Sequence, residues 1–209
     1  PADATFVPAS PDMVPVLLEQ LFAYVRRGEY PPLVDVALTH YQFEAIHPFR
    51  DGNGRLGRLL AMLQLYDAGL LPGPYLYLSA YFKQYGQGYR EKLLAVSTGG
   101  AWEDWITFVL NAVAEQAIDG YDCGVQLKAL REDYRSRFPG SATTRELVDY
   151  LFVQPYLTGP RAVEATGRSK PAVYDAIDAL EGEGIILETT GKQRNKVYEA
   201  PEVLSVLSS

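Results

Sequence analysis

His47-Pro-Phe-Arg-Asp-Gly-Asn-Gly-Arg-Leu-Gly-Arg58 puts a base, a carboxylate, a glycine-bearing loop and the arginine pair Arg55 and Arg58 into one short stretch. Asp51-Gly-Asn-Gly54 resists helix, because Gly and Asn tolerate left-handed backbone angles and mark a tight loop. Downstream, Leu56, Leu59, Leu60, Leu63 and Leu70 recur at helical spacings. They predict a helix from near Gly54 to about Ala68 with one buried leucine stripe. The loop then sits on a helix N-terminus, where unpaired amides and the positive end of the macrodipole favour an anion. The glycines let a phosphate come close to the backbone.

The side chains add the chemistry. Asp51 is a hard oxygen ligand suited to Mg²⁺, which binds through one or two carboxylates plus substrate phosphates. Arg55 and Arg58, three apart on the first turn, are expected to share a face and reach phosphate oxygens with forked donors. A histidine such as His47 can be neutral at physiological pH and accept a proton from a nucleophile. Together these describe a hydroxyl attacking the phosphorus of a nucleoside triphosphate.

The pattern His-Pro-Phe-x-Asp-Gly-Asn-Gly-Arg-x-x-Arg resembles the active-site signature of the Fic (filamentation induced by cAMP) proteins at every specified position. His40-Tyr-Gln-Phe-Glu-Ala-Ile46 before it, and Leu76-Tyr-Leu-Ser79 with Tyr89 after it, resemble the flanking helices of bacterial Fic proteins. The likeness covers roughly residues 8–117. It implies AMP transfer, in which ATP donates AMP to a Ser, Thr or Tyr hydroxyl of a target protein, the chain itself included, and pyrophosphate leaves. Carried over residue by residue, it makes His47 the general base and Asp51 the Mg²⁺ ligand. Gly52, Asn53 and Gly54 become the cradle for the α- and β-phosphates, and Arg55 and Arg58 the hold on the outer phosphates. Gln42 and Tyr89 line the nucleotide site in this reading. Phe49 belongs to the same site through geometry, packing in the core and anchoring the loop. A kinase branch of the family carries Lys in place of the second loop glycine; Gly54 here favours AMP transfer. Removal of AMP from a modified protein uses the same residues in reverse and stays open.

Other conspicuous residues read more plainly. His40 is expected to be an ordinary helix-end residue. Tyr81, Tyr85 and Tyr89 stand at i, i+4 and i+8, a series that at helical spacing mostly packs; of these only Tyr89 is assigned to the nucleotide.

The chain has 209 residues, 47% hydrophobic, with a net charge of −7. That length exceeds the common single-domain size. No run of eighteen apolar residues and no basic-then-apolar leader occurs, so neither a membrane partner nor secretion is expected. One cysteine, Cys123, excludes an intramolecular disulfide and fits the reducing cytoplasm; it is expected to be inert.

A composition shift at Phe138-Pro-Gly-Ser141 suggests two domains, 1–140 and 141–209. The fold class expected is mainly α: a Fic-type helical bundle, then a small winged helix domain with a β-hairpin wing. Proline-rich linkers fall at Pro31-Pro32 and Leu71-Pro-Gly-Pro74. A long helix begins with the apolar stripe Trp102, Trp105, Ile106, Val109 and turns polar towards Arg137. Beyond the boundary three short helices are expected over 145–153, 159–165 and 169–183, the last capped by Ser169. Strands over 185–188 and 196–199 flank the polar turn 190–195, as a hairpin requires.

Arg168 and Lys170 open the third helix, and Lys192, Arg194 and Lys196 sit on the wing, a basic cluster suited to DNA phosphates. Opposing it, Asp175, Asp178, Glu181 and Glu183 lie along the same helix. DNA binding therefore stands beside a reading in which this domain contacts proteins. The matching alternative for the whole chain is a DNA-binding transcriptional regulator that only senses nucleotide; retention of the base His47 favours catalysis. In many Fic proteins a Ser/Thr-x-x-x-Glu-Gly/Asn helix pairs its Glu with the last motif arginine, here Arg58. That sequence does not occur in this chain, and Ala4-Thr-Phe-Val-Pro8 resembles the tail of the family's target-binding flap. The inhibitory element is therefore expected upstream of these residues or in a separate partner acting on Arg58.

Overall fold

A computed structural model describes residues 7–73, 75–192 and 194–208. Ala4, Thr5 and Phe6 of the flap-like stretch, Pro74 of the linker and Gln193 of the hairpin turn lie outside these. The chain forms two compact units, Pro1–Gly120 and Tyr121–Ser209.

The first unit is helical: α1 (Val14–Arg27), α2 (Pro32–Ile46), α3 (Asn53–Asp67), α4 (Leu78–Gln84), α5 (Gly86–Gly99) and the start of α6 (Trp102–Arg137). Pro32 opens α2, at the first helical position where a missing N–H costs nothing. This helix is apolar on most of its circumference and buried on two sides. Val36, Ala37 and Tyr41 join the main core, whereas Phe43 and Ile46 meet Leu21 of α1 in a smaller cluster. Trp105 of α6, fully buried, donates its indole N–H to the Ala37 carbonyl at 2.8 Å. The rings of His40, Tyr41, Tyr89 and Phe108 surround it.

The leucine stripe expected on α3 is not its buried face. The helix turns Asn53, Gly57, Ala61 and Leu65 inward, while Leu56, Leu59 and Leu63 are 40%, 44% and 47% exposed. Close approach decides this. A Cβ on Gly57 would stand 2.8 Å from Glu44 Oε1 and 3.1 Å from His40 Nδ1, so small residues mark the seam with α2. The tyrosine series also divides. α4 ends at Gln84 and α5 starts at Gly86, so Tyr85 marks the break between the two helices; Tyr81 is buried in the core.

The second unit contains the end of α6, then α7 (Ala142–Leu151), β1 (Tyr156–Thr158), α8 (Gly159–Thr166), α9 (Lys170–Gly182), β2 (Leu187–Glu188), β3 (Val197–Glu199) and α10 (Pro201–Ser208). The sheet is antiparallel in the order β1-β3-β2. The units part inside α6 instead of after it, because Tyr134, with Leu127 and Leu130, packs into the second core beside Leu147, Leu157 and Ile177. Tyr134 also donates to Glu202 Oε2 at 2.7 Å. Ser141 caps α7 by accepting the Thr144 N–H. Ser169 stands at the cap of α9 but makes no side-chain cap bond. The Cys123 thiol is half-buried and donates to the Val206 carbonyl at 3.7 Å. Among the described residues no helix is long and apolar enough to cross a membrane.

Candidate active site

The signature loop joins α2 to α3. His47 ends α2 with left-handed angles, φ 53° and ψ 56°, while its backbone N–H still reaches Phe43 O at 3.0 Å. That turn carries the exposed imidazole out of the helical row. Asn53, only 3% exposed, then clamps the loop. Its Oδ1 accepts the Phe49 N–H at 2.9 Å, and its Nδ2 donates to Phe49 O at 2.6 Å. Phe49 therefore anchors the loop through its backbone; the ring, expected in the core, is half exposed.

Gly52 stands at the N-cap of α3 with φ +87°, an angle that favours glycine. The first helical bond runs from Leu56 N–H to Gly52 O. The amides of Asn53, Gly54 and Arg55 thus precede the helical ladder and have no acceptor within it. No side chain caps this end and no acidic residue occupies its first turn. It is a positively polarised helix terminus suited to an anion.

The two arginines diverge instead of sharing a face. Arg58 donates through Nε to Ser79 Oγ at 2.8 Å, and among the described residues no carboxylate lies within ion-pair distance of it. Arg55 turns back to Asp51, Nη2 to Oδ2 at 3.2 Å, in a pair whose side chains are 75% and 91% exposed. Such a pair is worth little in water. Asp51 also accepts the Gly52 N–H through Oδ1 at 2.7 Å.

Beside the loop lies a cavity of about 540 Å³ lined by His47, Tyr89, Tyr41, Glu44, Leu93 and Ser97, among others. His47 and Tyr89 therefore meet in one space. Gln42 does not join them: it lines a separate cleft with Leu21, Tyr24 and Trp102. Glu44 escaped the sequence reading, although a lone acid between Phe43 and Ile46 in an apolar helix was a usable signal. Burial raises its carboxyl above the ordinary range, against the pull of His47 and Arg58.

His40 is no helix-end residue. It lies inside α2, fully buried, stacked on Phe82 and Trp105, with Nε2 3.1 Å from Tyr89 Oη. Burial pushes its pKa down to about 4; the nearby Gly57 backbone opposes this and the charge of Arg58 adds to it. The folded state thus refuses a proton that the unfolded chain takes near pH 6.5. The contribution is whole above pH 6.5 and is lost as pH falls towards 4, about 3 kcal/mol across that window. Glu44, with its raised pKa, works in the opposite sense at the acid end. We expect urea unfolding, followed by tryptophan fluorescence, to show this loss between pH 7 and 4.5. A His40→Gln variant should flatten the slope; an unchanged slope in that variant would remove His40 as its cause.

In the second unit Arg168 is held by Glu146 through two bonds of 3.0 and 2.6 Å. Lys170, Lys192, Arg194 and Lys196 are exposed. The outer face of α9 also exposes Tyr174, Asp175 and Asp178, so the expected basic surface is interrupted by acids.

Residues 2–65, a span that includes His47 to Arg58, match the model of the Fic/DOC family. The chain is 41% identical over 69 residues to a probable protein adenylyltransferase of Aquifex aeolicus (strain VF5), covering 32% of this chain and 22% of that protein. It is 34% identical over 118 residues to the protein adenylyltransferase Fic of Nematostella vectensis, covering 56% and 24%. The chain thus spans less than a quarter of the length of these curated relatives. A crystal structure of a Fic family protein from Desulfovibrio desulfuricans G20 aligns with 92% of this chain and 56% of that one, at a TM-score of 0.50 and 23% identity. By these matches the chain carries a segment similar to the Fic/DOC family, within a fold like that of a Fic family protein.

Proposed function

We propose that the chain is a protein adenylyltransferase, moving AMP from ATP to a Ser, Thr or Tyr hydroxyl of a protein target. The observation that carries this reading is one loop with two ends: His47 on the rim of a cavity, and an uncapped helix N-terminus beside Arg58, which among the described residues has no carboxylate within ion-pair distance. The α3 amides and Arg58 would hold the phosphates, and the cavity with Tyr89 would take the nucleoside. His47 would remove the hydroxyl proton as oxygen bonds to the α-phosphorus and the bond to pyrophosphate breaks. Gly54 brings the Arg58 guanidinium close, since a Cβ there would lie 3.0 Å from Nη1. Asp51 is a single exposed carboxylate, and among the described residues no cluster of three or more metal-ligating side chains surrounds it. That donor set fits a Mg²⁺ delivered with the triphosphate, which would neutralise phosphate charge, and does not fit an all-protein cage.

The test is incubation with Mg²⁺ and either α-³²P-ATP or γ-³²P-ATP, following label on protein. Label from the α-phosphate alone supports AMP transfer. Label from γ means kinase chemistry, and no label despite ATP binding shifts weight to AMP removal or nucleotide sensing. Arg58→Ala should weaken ATP binding about 10- to 100-fold, the loss of one or two charge-assisted bonds, as titration calorimetry would read. Unchanged affinity would remove Arg58 from the phosphate site.

For the second unit a winged helix-turn-helix is the reading that its helices and hairpin support. DNA binding rests on exposed Lys170, Lys192, Arg194 and Lys196 and is opposed by Asp175 and Asp178. An inhibitory segment or partner would act by supplying a carboxylate to Arg58, and the cytoplasm suits an ATP-dependent reaction.

A further inference from the structure

Two buried polar atoms beside the signature loop lack a hydrogen-bond partner among the described residues: Glu44 Oε1 and His40 Nδ1. They lie one turn apart on α2 and face the same point of α3, where a Cβ on Gly57 would be 2.8 Å from one and 3.1 Å from the other. Their polarity follows from elimination. His40, held neutral, carries one ring proton. Placed on Nε2, that proton would go to Tyr89 Oη and leave a bare Nδ1 lone pair facing a bare carboxylate oxygen. Placed on Nδ1, it points into the seam with α3 that Glu44 Oε1 also faces, while Nε2 accepts from the Tyr89 phenol. Glu44 also lines the cavity with His47. The charged and titratable groups around it are His40 and His47 of α2 and its cap, Arg58 of α3 and Tyr89 of α5.

We propose that Glu44 is a positioning residue for His47. One carboxylate oxygen is held by His40 Nδ1–H; the other accepts a His47 ring N–H, leaving the remaining ring nitrogen bare to take the substrate hydroxyl's proton. Only that last clause rests on the adenylyltransferase reading. As the O–P bond forms and the bond to the leaving pyrophosphate breaks, the O–H proton passes to the bare nitrogen, and the resulting imidazolium stays paired with the Glu44 carboxylate.

The chain has two histidines, so imidazole ¹⁵N spectra of the labelled, nucleotide-free chain contain two ring systems. In the wild type His47 should show a single-tautomer pattern and His40 the Nδ1–H pattern. Glu44→Met, which removes both acceptors, should move His47 towards the mixed-tautomer average. Glu44→Gln, which keeps one acceptor, should fall between. The rate of α-label transfer at saturating ATP should drop about 10- to 100-fold in Glu44→Met and recover in part in Glu44→Gln. A His47 pattern identical in wild type and Glu44→Met overturns the proposal. If Glu44→Met does not fold, the wild type and Tyr89→Phe decide: His40 must be Nδ1–H in both, because Glu44 holds that proton with or without the phenol, and an Nε2–H ring in either overturns the proposal. A His47 tautomer that responds to Glu44 in a chain that transfers no label supports the positioning role and sinks the AMP-transfer reading. Transfer with an indifferent tautomer does the reverse.

Discussion

His47→Ala should lower α-label transfer from ATP to protein by about 10²–10⁴-fold while ATP affinity stays within about twofold. At 1.36 kcal/mol per decade that is roughly 3–5 kcal/mol of barrier. The separation follows from the loop's geometry. The imidazole is exposed on the cavity rim, whereas the groups proposed to bind the phosphates, the α3 amides and Arg58, are held by Gly52, Asn53 and Ser79 without its help. Single-turnover labelling beside a nucleotide titration would measure both quantities. If affinity falls as steeply as rate, His47 belongs to the binding site and the division of labour is wrong.

Trp105→Ala should cost the first unit about 3–5 kcal/mol, the range for emptying a large buried aromatic site. The residue is fully buried against His40, Tyr41, Tyr89 and Phe108, and its loss also leaves the Ala37 carbonyl without its indole donor. Small domains hold only about 5–15 kcal/mol in total, so this one change removes roughly a fifth or more. Trp102 remains as the fluorescence probe in urea titrations. Trp105→Phe separates the causes: it fills most of the volume but supplies no N–H, and should recover part of the loss. A cost below about 1 kcal/mol for the alanine variant would contradict the placement of this side chain at the centre of the core.

Much of the site was legible because its signals are local. A glycine loop between two helical stretches announces itself by spacing, and His47, Asp51 and the arginines fall within one turn of it. Spacing misled where burial depends on distance between helices. Five leucines, four of them on α3, suggested a core stripe, yet Gly57 and Ala61 set the seam, since only small side chains let α3 come so close to α2. Gln42 was read by position in a pattern, and helical rotation turns it into another cleft. The role of Asn53 as a clamp on Phe49 was hidden because it depends on two bonds across four residues. In the second unit the helices and hairpin were readable. β1, with three residues, is too short to show alternation, and the boundary inside α6 is visible only from which residues pack into the second core.

The left-handed turn at His47 makes this position a stop signal for a helix as well as a chemical group. Most residues lose roughly 1 kcal/mol or more in that conformation, while asparagine and glycine enter it readily. Substitutions here therefore sort by shape before they sort by reactivity. Valine or isoleucine would let α2 run on and displace the loop over 48–52, mimicking a binding defect. Asparagine would remove the base and keep the bend, making His47→Asn a cleaner inactive form for trapping substrates than alanine.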